Sequence, residues 1–174
     1  MKTELKRSDI SAGGLRFAIV VARWNDEFTS KLADGAMEAL LGAGAERADI
    51  DIFHVPGAFE LPVASLKAAK SGEYHAVIAL GVVIRGDTPH FDYVAGQAAA
   101  GLMQASMQSG VPVMFGVITA DKVGQVIERT GEGADNKGFE AAISAIETAS
   151  TLSSITRAAK ARFEVRKESY LNVA

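Results

Sequence analysis

The 174-residue chain contains no cysteine, only three histidines, one tryptophan and four prolines. Without thiols there can be no disulfide, no thiolate metal site and no cysteine nucleophile. The histidines are scattered at positions 54, 75 and 90, which speaks against a His-rich metal centre. No apolar run approaches the roughly 20 residues of a membrane span. The opening stretch, residues 1–11, mixes charged with apolar residues and lacks the hydrophobic segment of a secretory signal. The net charge of −3 is small and of the wrong sign for nucleic acid as the main partner. Walker and G-x-G-x-x-G sequences are both absent, so nucleotide binding lacks its usual support. There is no internal repeat and no low-complexity tract. These absences lead us to expect a cytoplasmic protein with no metal, no membrane and no nucleic-acid partner.

What is present is an ordinary globular composition, 48% hydrophobic and 22% charged, long enough for one domain with a full core. Residues 16–22, Arg-Phe-Ala-Ile-Val-Val-Ala, form a continuous apolar run of the kind that suits a strand buried on both faces. Residues 27–41 place Phe28, Leu32, Ala36, Met37, Ala39 and Leu40 at helical spacing, and Gly42 and Gly44 end them. The same reading predicts strands over 50–55, 76–80 and 112–117. It predicts helices over 59–70, 91–109 and 121–129, and a last one from 136 to about 160. Pro62 falls in the first turn of its helix, where the missing N–H costs nothing. Strand and helix alternate four times, which predicts an α/β fold with a parallel sheet covered on both sides.

Ligands in such sheets bind at the carboxyl ends of the strands. The segments read as carboxyl-end loops are 23–25, 56–60, 82–90 and 116–119. The richest is 81–93, Gly-Val-Val-Ile-Arg-Gly-Asp-Thr-Pro-His-Phe-Asp-Tyr, an apolar strand opening into Gly, Asp, Thr and His before a helix. Gly86 admits a close ligand, and Thr88 with the helix N–H groups can hold an anion. His90 alone among the histidines sits in polar company, and its ordinary pKa near ~6.5 suits proton transfer. A helix-start histidine is its bland alternative. His54 and His75 read as structural. Trp24 serves equally as an interface aromatic or as a platform for a flat heterocycle. Phe59 is ambiguous in the same way, and Glu60 either favours a helix N-terminus or accepts hydrogen bonds from a polyol or amide. Arg129 and Lys137 flank a loop and read either as ordinary surface cations or as a phosphate clamp.

Four segments, in order, carry a resemblance: Val55-Pro56-Gly57-Ala58-Phe59-Glu60-Leu61-Pro62, Gly81 to Val94, Pro112-Val113-Met114-Phe115-Gly116-Val117, and Asn136-Lys137-Gly138. With them the chain resembles lumazine synthase over about residues 16–150. The resemblance implies a three-layer flavodoxin-like αβα sandwich with a four-stranded parallel sheet, and a transferase acting in riboflavin biosynthesis. It implies a homo-oligomer, at least a pentamer, with sites between subunits and no metal or organic cofactor. It implies small-molecule substrates, a ribitylaminouracil and a butanone phosphate. The domain would span 16–157, between an N-terminal segment 1–15 and a tail 158–174 whose first turns extend the last helix.

By the same resemblance Trp24 stacks on the pyrimidine, and Ala58, Phe59 and Glu60 hold the ribityl chain and the ring edge. Val82, Val83 and Ile84 offer main-chain hydrogen bonds to the uracil. Asp87, Thr88 and Arg129 take the phosphate. Phe115 closes over the ring from a neighbouring subunit with Lys137 nearby, and His90 transfers protons. Asp87 is a departure, since a carboxylate facing phosphate would repel it; only its backbone is expected to make contact. The loop 131–135 is more acidic than the type associated with shell-forming members, although its length is compatible with an icosahedral shell. Rival readings are a catalytically weak flavin-binding homologue and a shell-forming one.

Overall fold

The computed structural model of the chain describes residues 10–171; residues 1–9 of the expected N-terminal segment and 172–174 of the tail lie outside the described residues. Four strands, β1 (Phe17–Ala22), β2 (Ile50–Val55), β3 (Ala76–Ile84) and β4 (Val113–Ala120), form one parallel sheet in the order β2-β1-β3-β4. Five helices accompany them: α1 (Asp26–Gly42), α2 (Leu61–Ala69), α3 (His90–Ser109), α4 (Val123–Ile127) and α5 (Lys137–Leu171). Helices α1 and α5 cover one face of the sheet, and α2 and α3 the other. This is the flavodoxin-like three-layer sandwich.

Side-chain alternation along the strands divides the interior by size. Phe17, Ile19 and Val21 of β1 and Ile78 and Leu80 of β3 face α1 and α5. The intervening Ala18, Val20, Ala22, Val77 and Ala79 face α2 and α3. Successive strand residues point to opposite faces, so an apolar run without alternation is what a strand buried on both sides requires. Each helix answers with a narrow apolar stripe. Helix α1 buries Phe28, Leu32, Ala36 and Leu40, and α3 buries Val94, Ala98, Leu102 and Ala105. Helix α5 presents Ala141, Ala142, Ala145, Ile146 and Ala149 to the sheet.

The small residues of α5 bring it close to its neighbours. A side chain at Gly138 would collide with the Leu32 carbonyl of α1. A Cβ at Gly116 would lie 2.5 Å from Leu80 Cδ2 and 2.9 Å from the Ala79 carbonyl oxygen.

Several boundaries differ from the sequence reading. Strand β3 continues to Ile84 and β4 to Ala120, so residues 82–84 and 116–119, expected as loops, belong to strands. They pair with one another, from Val82↔Ile118 to Ile84↔Ala120, and neither segment contains a residue that would stop the ladder. The helix expected over 59–70 is a 3-10 turn, Ala58–Glu60, followed by α2. The one expected over 121–129 shrinks to α4. Helix α5 starts one residue later than expected, because Asn136 caps it, and runs on to Leu171. His75 is structural: its Nδ1 accepts from the Arg16 N–H at 2.9 Å, and its own N–H donates to the Arg16 carbonyl at 2.8 Å.

Because backbone atoms close the space beside Gly116, Gly116→Ala should lower stability by about 1–3 kcal/mol. A urea unfolding midpoint equal to that of the wild type would contradict this packing.

Candidate active site

Strand β3 is longer at its carboxyl end than its neighbour β1. Pairing with β1 stops at Val21↔Leu80, whereas pairing with β4 runs to Ile84↔Ala120. From Gly81 onward one edge of β3 therefore has no strand beside it. An unpaired strand edge is a row of main-chain donors and acceptors; Val82 and Ile84 turn theirs to this edge, whereas Val83, expected with them, turns its main-chain groups toward β4, as Val77 and Arg85 do. This overhang stands where β1 and β3, successive in space but not in sequence, send their connections to opposite faces. That switch point is where doubly wound sheets bind ligands.

Asn25 defines the floor of the crevice. It holds a left-handed backbone, φ 61 and ψ 43, the only non-glycine residue with positive φ among those described. Asparagine tolerates this region better than most residues. Its side chain, instead of capping α1, donates from Nδ2 to the Val82 carbonyl at 2.9 Å. It thereby ties the β1–α1 turn to the first part of the β3 overhang.

That turn also carries Trp24. The Trp24 N–H donates to the Pro56 carbonyl at 3.0 Å, and the indole lies over Gly57. A Cβ on Gly57 would be 2.7 Å from Trp24 Cε3, so only glycine lets the ring rest there. The loops after β1 and β2 are joined in this way, and Trp24 keeps 63% of its surface exposed. Phe59, 56% exposed, stands on the next turn, beside the buried Ala58. Glu60 Oε2 accepts from the Gly57 N–H at 2.9 Å, which fixes the bend into α2. The helix-start role weighed for Glu60 is thus occupied by one of its two oxygens.

Asp87, Thr88 and His90 lie on the exposed segment that joins β3 to α3, and His90 is the first residue of that helix. The residue before this segment is held firmly. The Arg85 N–H donates to the Ala120 carbonyl at 2.8 Å. Arg85 Nε reaches Asp121 at 2.8 Å, and Nη1 and Nη2 reach the Asp92 carboxylate at 3.2 and 3.0 Å. The guanidinium also lies 4.0 Å over the Phe91 ring. Hydrogen bonds to Asp92 and then Asp121 push its already high pKa further up.

The remaining candidates lie elsewhere. Phe115, Arg129 and Lys137 line a groove of about 390 Å³ along the outer edge of β4, together with Thr119, Glu140 and Ser144. Arg129 and Lys137 are brought side by side because the Lys137 N–H donates to the Arg129 carbonyl at 2.9 Å. A bridge between Thr130 and Asn136 closes the loop between them. Arg129 Nη1 donates to the Gln125 carbonyl at 2.8 Å, and Lys137 pairs with Glu140. None of the residues around Trp24 and His90 lines this groove. One chain thus carries two separate groups of candidates, an aromatic and main-chain group at the β1/β3 crevice and a cationic group beyond β4.

The sequence assigns no site role to Asn25, Arg85 or Asn136, and reads Asp121 only as an acidic residue at the cationic start of a short helix. For Asn136 a signal existed, an Asn immediately ahead of an apolar helical pattern. It is buried and uses both ends of its amide. Nδ2 donates to the Lys31 carbonyl at 2.8 Å and the Gly131 carbonyl at 3.0 Å. Oδ1 accepts from the N–H groups of Gly138 at 2.8 Å and Phe139 at 3.2 Å. It caps α5, closes the loop and binds α1 at once.

The fold is that of a flavodoxin-like α/β protein with a crevice at the β1/β3 switch point and a second, cationic surface on the far edge. Residues 14–153 match the family model of 6,7-dimethyl-8-ribityllumazine synthase. A 6,7-dimethyl-8-ribityllumazine synthase of Nitratidesulfovibrio vulgaris (strain DSM 19637 / Miyazaki F) is 54% identical over 137 residues, covering 79% of this chain and 88% of the relative. The chain belongs to the 6,7-dimethyl-8-ribityllumazine synthase family. Among the described residues no helix is long and apolar enough to cross a membrane.

Asn136→Ala removes the cap of α5 and leaves the buried Gly138 N–H without its partner, so it should cost about 2–4 kcal/mol. Denaturant unfolding checks this, and a cost below about 1 kcal/mol would contradict the role assigned to the amide.

Proposed function

We propose that the chain condenses 5-amino-6-(D-ribitylamino)uracil with 3,4-dihydroxy-2-butanone 4-phosphate. The products are 6,7-dimethyl-8-ribityllumazine, phosphate and water, in the penultimate step of riboflavin biosynthesis. The observation that carries this reading is the β3 overhang flanked by exposed aromatics. Main-chain groups at Val82 and Ile84, on the free edge, suit the donors and acceptors of a uracil edge. Trp24 and Phe59 offer faces for a planar ring. In this reading the second oxygen of Glu60 and the main chain at Ala58, whose side chain is buried, hold the polyol chain.

The chemistry asks for proton transfers and a cation. An amine attacks the ketone to give a carbinolamine, which loses water to an imine. Loss of the C3 proton expels phosphate to leave an enol, the enol tautomerises to a ketone, the second amine attacks that new carbonyl, and water departs as the ring closes. His90 is the proton-transfer group in this reading. Thr88, the backbone at Asp87, and Arg129 hold the phosphate, whose departure a fixed cation favours. Phe115 and Lys137 complete the site from a neighbouring subunit, since they share their edge of the chain with Arg129 and not with His90.

That arrangement calls for a cytoplasmic homo-oligomer, at least a pentamer, with an icosahedral shell compatible with the loop length at 131–135. Exposed Tyr93, Met103 and Met107 on α3 and half-exposed Phe115 support an assembly, because apolar surface of this kind marks protein contacts. A flavin-binding or purely shell-forming homologue would not need His90, Arg129 and Lys137 together, and their presence favours the enzyme.

Absorbance at the lumazine band, with both substrates supplied, tests the reading directly; a wild-type protein that forms no lumazine would overturn it. We expect His90→Ala to lower kcat by no more than the roughly 10²–10⁴-fold that a general acid–base group contributes. Activity should remain because holding the two reactants together supplies ~7–11 kcal/mol on its own. Unchanged turnover at saturating substrates would remove His90 from the mechanism. Arg129→Ala should raise KM for the butanone phosphate at least about tenfold, the loss of one charge-assisted hydrogen bond of about 1.5–3 kcal/mol. KM for the uracil substrate should stay near its wild-type value, and equal shifts in both would argue against a phosphate role.

A further inference from the structure

His90 is exposed, and its imidazole makes no hydrogen bond to another described residue. It follows a four-residue stretch, Gly86 to Pro89, that is exposed throughout. A proton-transfer group needs a fixed position relative to the bound substrate, because about 1 Å of misplacement can cost roughly 10²-fold in rate. Something other than His90's own contacts must therefore set where the start of α3 lies.

Arg85 is built for that purpose. Its backbone extends the β3/β4 ladder by one bond, to Ala120. Its side chain then reaches over the loop to Asp92 and Phe91, the two residues that follow His90, and across to Asp121 at the end of β4. Asp121 is itself set, since its N–H donates to Gln125 Oε1 of α4 at 2.8 Å. A solitary surface ion pair holds little. A guanidinium that engages one carboxylate with two nitrogens, a second with its third, and an aromatic ring with its face has few alternative positions.

We propose that Arg85 is a positioning residue for His90, fixing the first turn of α3 against the ends of β3 and β4. This inference rests on the reading of His90 as the proton-transfer group. It also gives Asp92 and Asp121 a task, to hold the guanidinium, and keeps two carboxylates near the proposed phosphate site neutralised.

Steady-state kinetics of lumazine formation tests the proposal. Arg85→Ala and Arg85→Lys should both lower kcat about 10–100-fold, while KM for each substrate changes by less than about threefold. Lysine keeps the charge but cannot grip two carboxylates and stack at once. Wild-type turnover in Arg85→Lys would show that charge alone is needed and overturn positioning. In a His90→Ala background, adding Arg85→Ala should lower kcat by no more than about twofold, because coupled residues are not additive. A full multiplicative loss there would show that Arg85 does not act through His90.

Should Arg85→Ala fail to fold or assemble, Asp121→Asn loosens one side of the clamp with the arginine in place. It should lower kcat by a smaller factor in the wild-type background and by none in His90→Ala; turnover unchanged in both would refute the clamp. An active wild type whose Arg85 variants match it overturns this inference alone. A wild type that makes no lumazine overturns the enzymatic reading on which it stands.

Discussion

Strand β3 outruns β1 by the residues after Leu80, and the site is organised around that mismatch. A strand edge buried without partners would cost free energy for every unmatched N–H and carbonyl. Here one of these groups, the Val82 carbonyl, is taken up by Asn25. Asn25 can reach it only because its backbone is left-handed, and that same turn sends α1 to one face of the sheet and Trp24 toward the loop after β2. Local strain at one residue thus sets both the end of the overhang and the place of the exposed indole. Strained positions persist only where the surroundings over-determine them, and the Trp24–Gly57 stacking with the Asn25–Val82 bond provides that.

Charge at this edge of the sheet is largely committed. Arg85 is engaged by Asp92 and Asp121, Arg129 by the Gln125 carbonyl, and Lys137 by Glu140. The Arg85 contacts differ in kind from the others because they lock one side chain in three directions. Arg129 also meets Glu128 at 3.5 Å, and its ion pair and that of Lys137 are exposed, of the sort that holds a side chain only weakly. Arg129 and Lys137 line one groove, and the bond from the Lys137 N–H to the Arg129 carbonyl keeps them together.

The layer structure was legible because the apolar runs at 16–22 and 76–80 lack alternation, which only a doubly covered parallel strand tolerates. The overhang was not, because the apolar run continues smoothly through Gly81 and Val82 and nothing in it says where β1 stops alongside. Strand length past a neighbour is a property of register, set by tertiary pairing. The motif residues Trp24, Phe59 and His90 were visible as unusual types in carboxyl-end segments. Asn25 and Arg85 were not, since an Asn before a helix reads as an ordinary cap and an Arg after a strand as a solvated charge. Their roles reside in partners 57 and 36 residues away in sequence. Asn136 was quoted for its motif, but its grip on α1 spans 105 residues and could not be read locally.

The separation of the two groups of candidates constrains how copies can meet. The crevice lies between β1 and β3, and the groove lined by Phe115, Arg129 and Lys137 follows the outer edge of β4. A contact that joins one copy's crevice to the next copy's groove uses two different patches. Such heterologous contacts generate a closed ring or an open filament, whereas a two-fold dimer would pair each patch with itself. Arg85 stands between the two roles, holding α3 on one side and, through Asp121 and Gln125, the helix that leads to Arg129 on the other. Placement of the proton-transfer group in one site and of the phosphate cation in the next would then share a single rigid junction at the ends of β3 and β4.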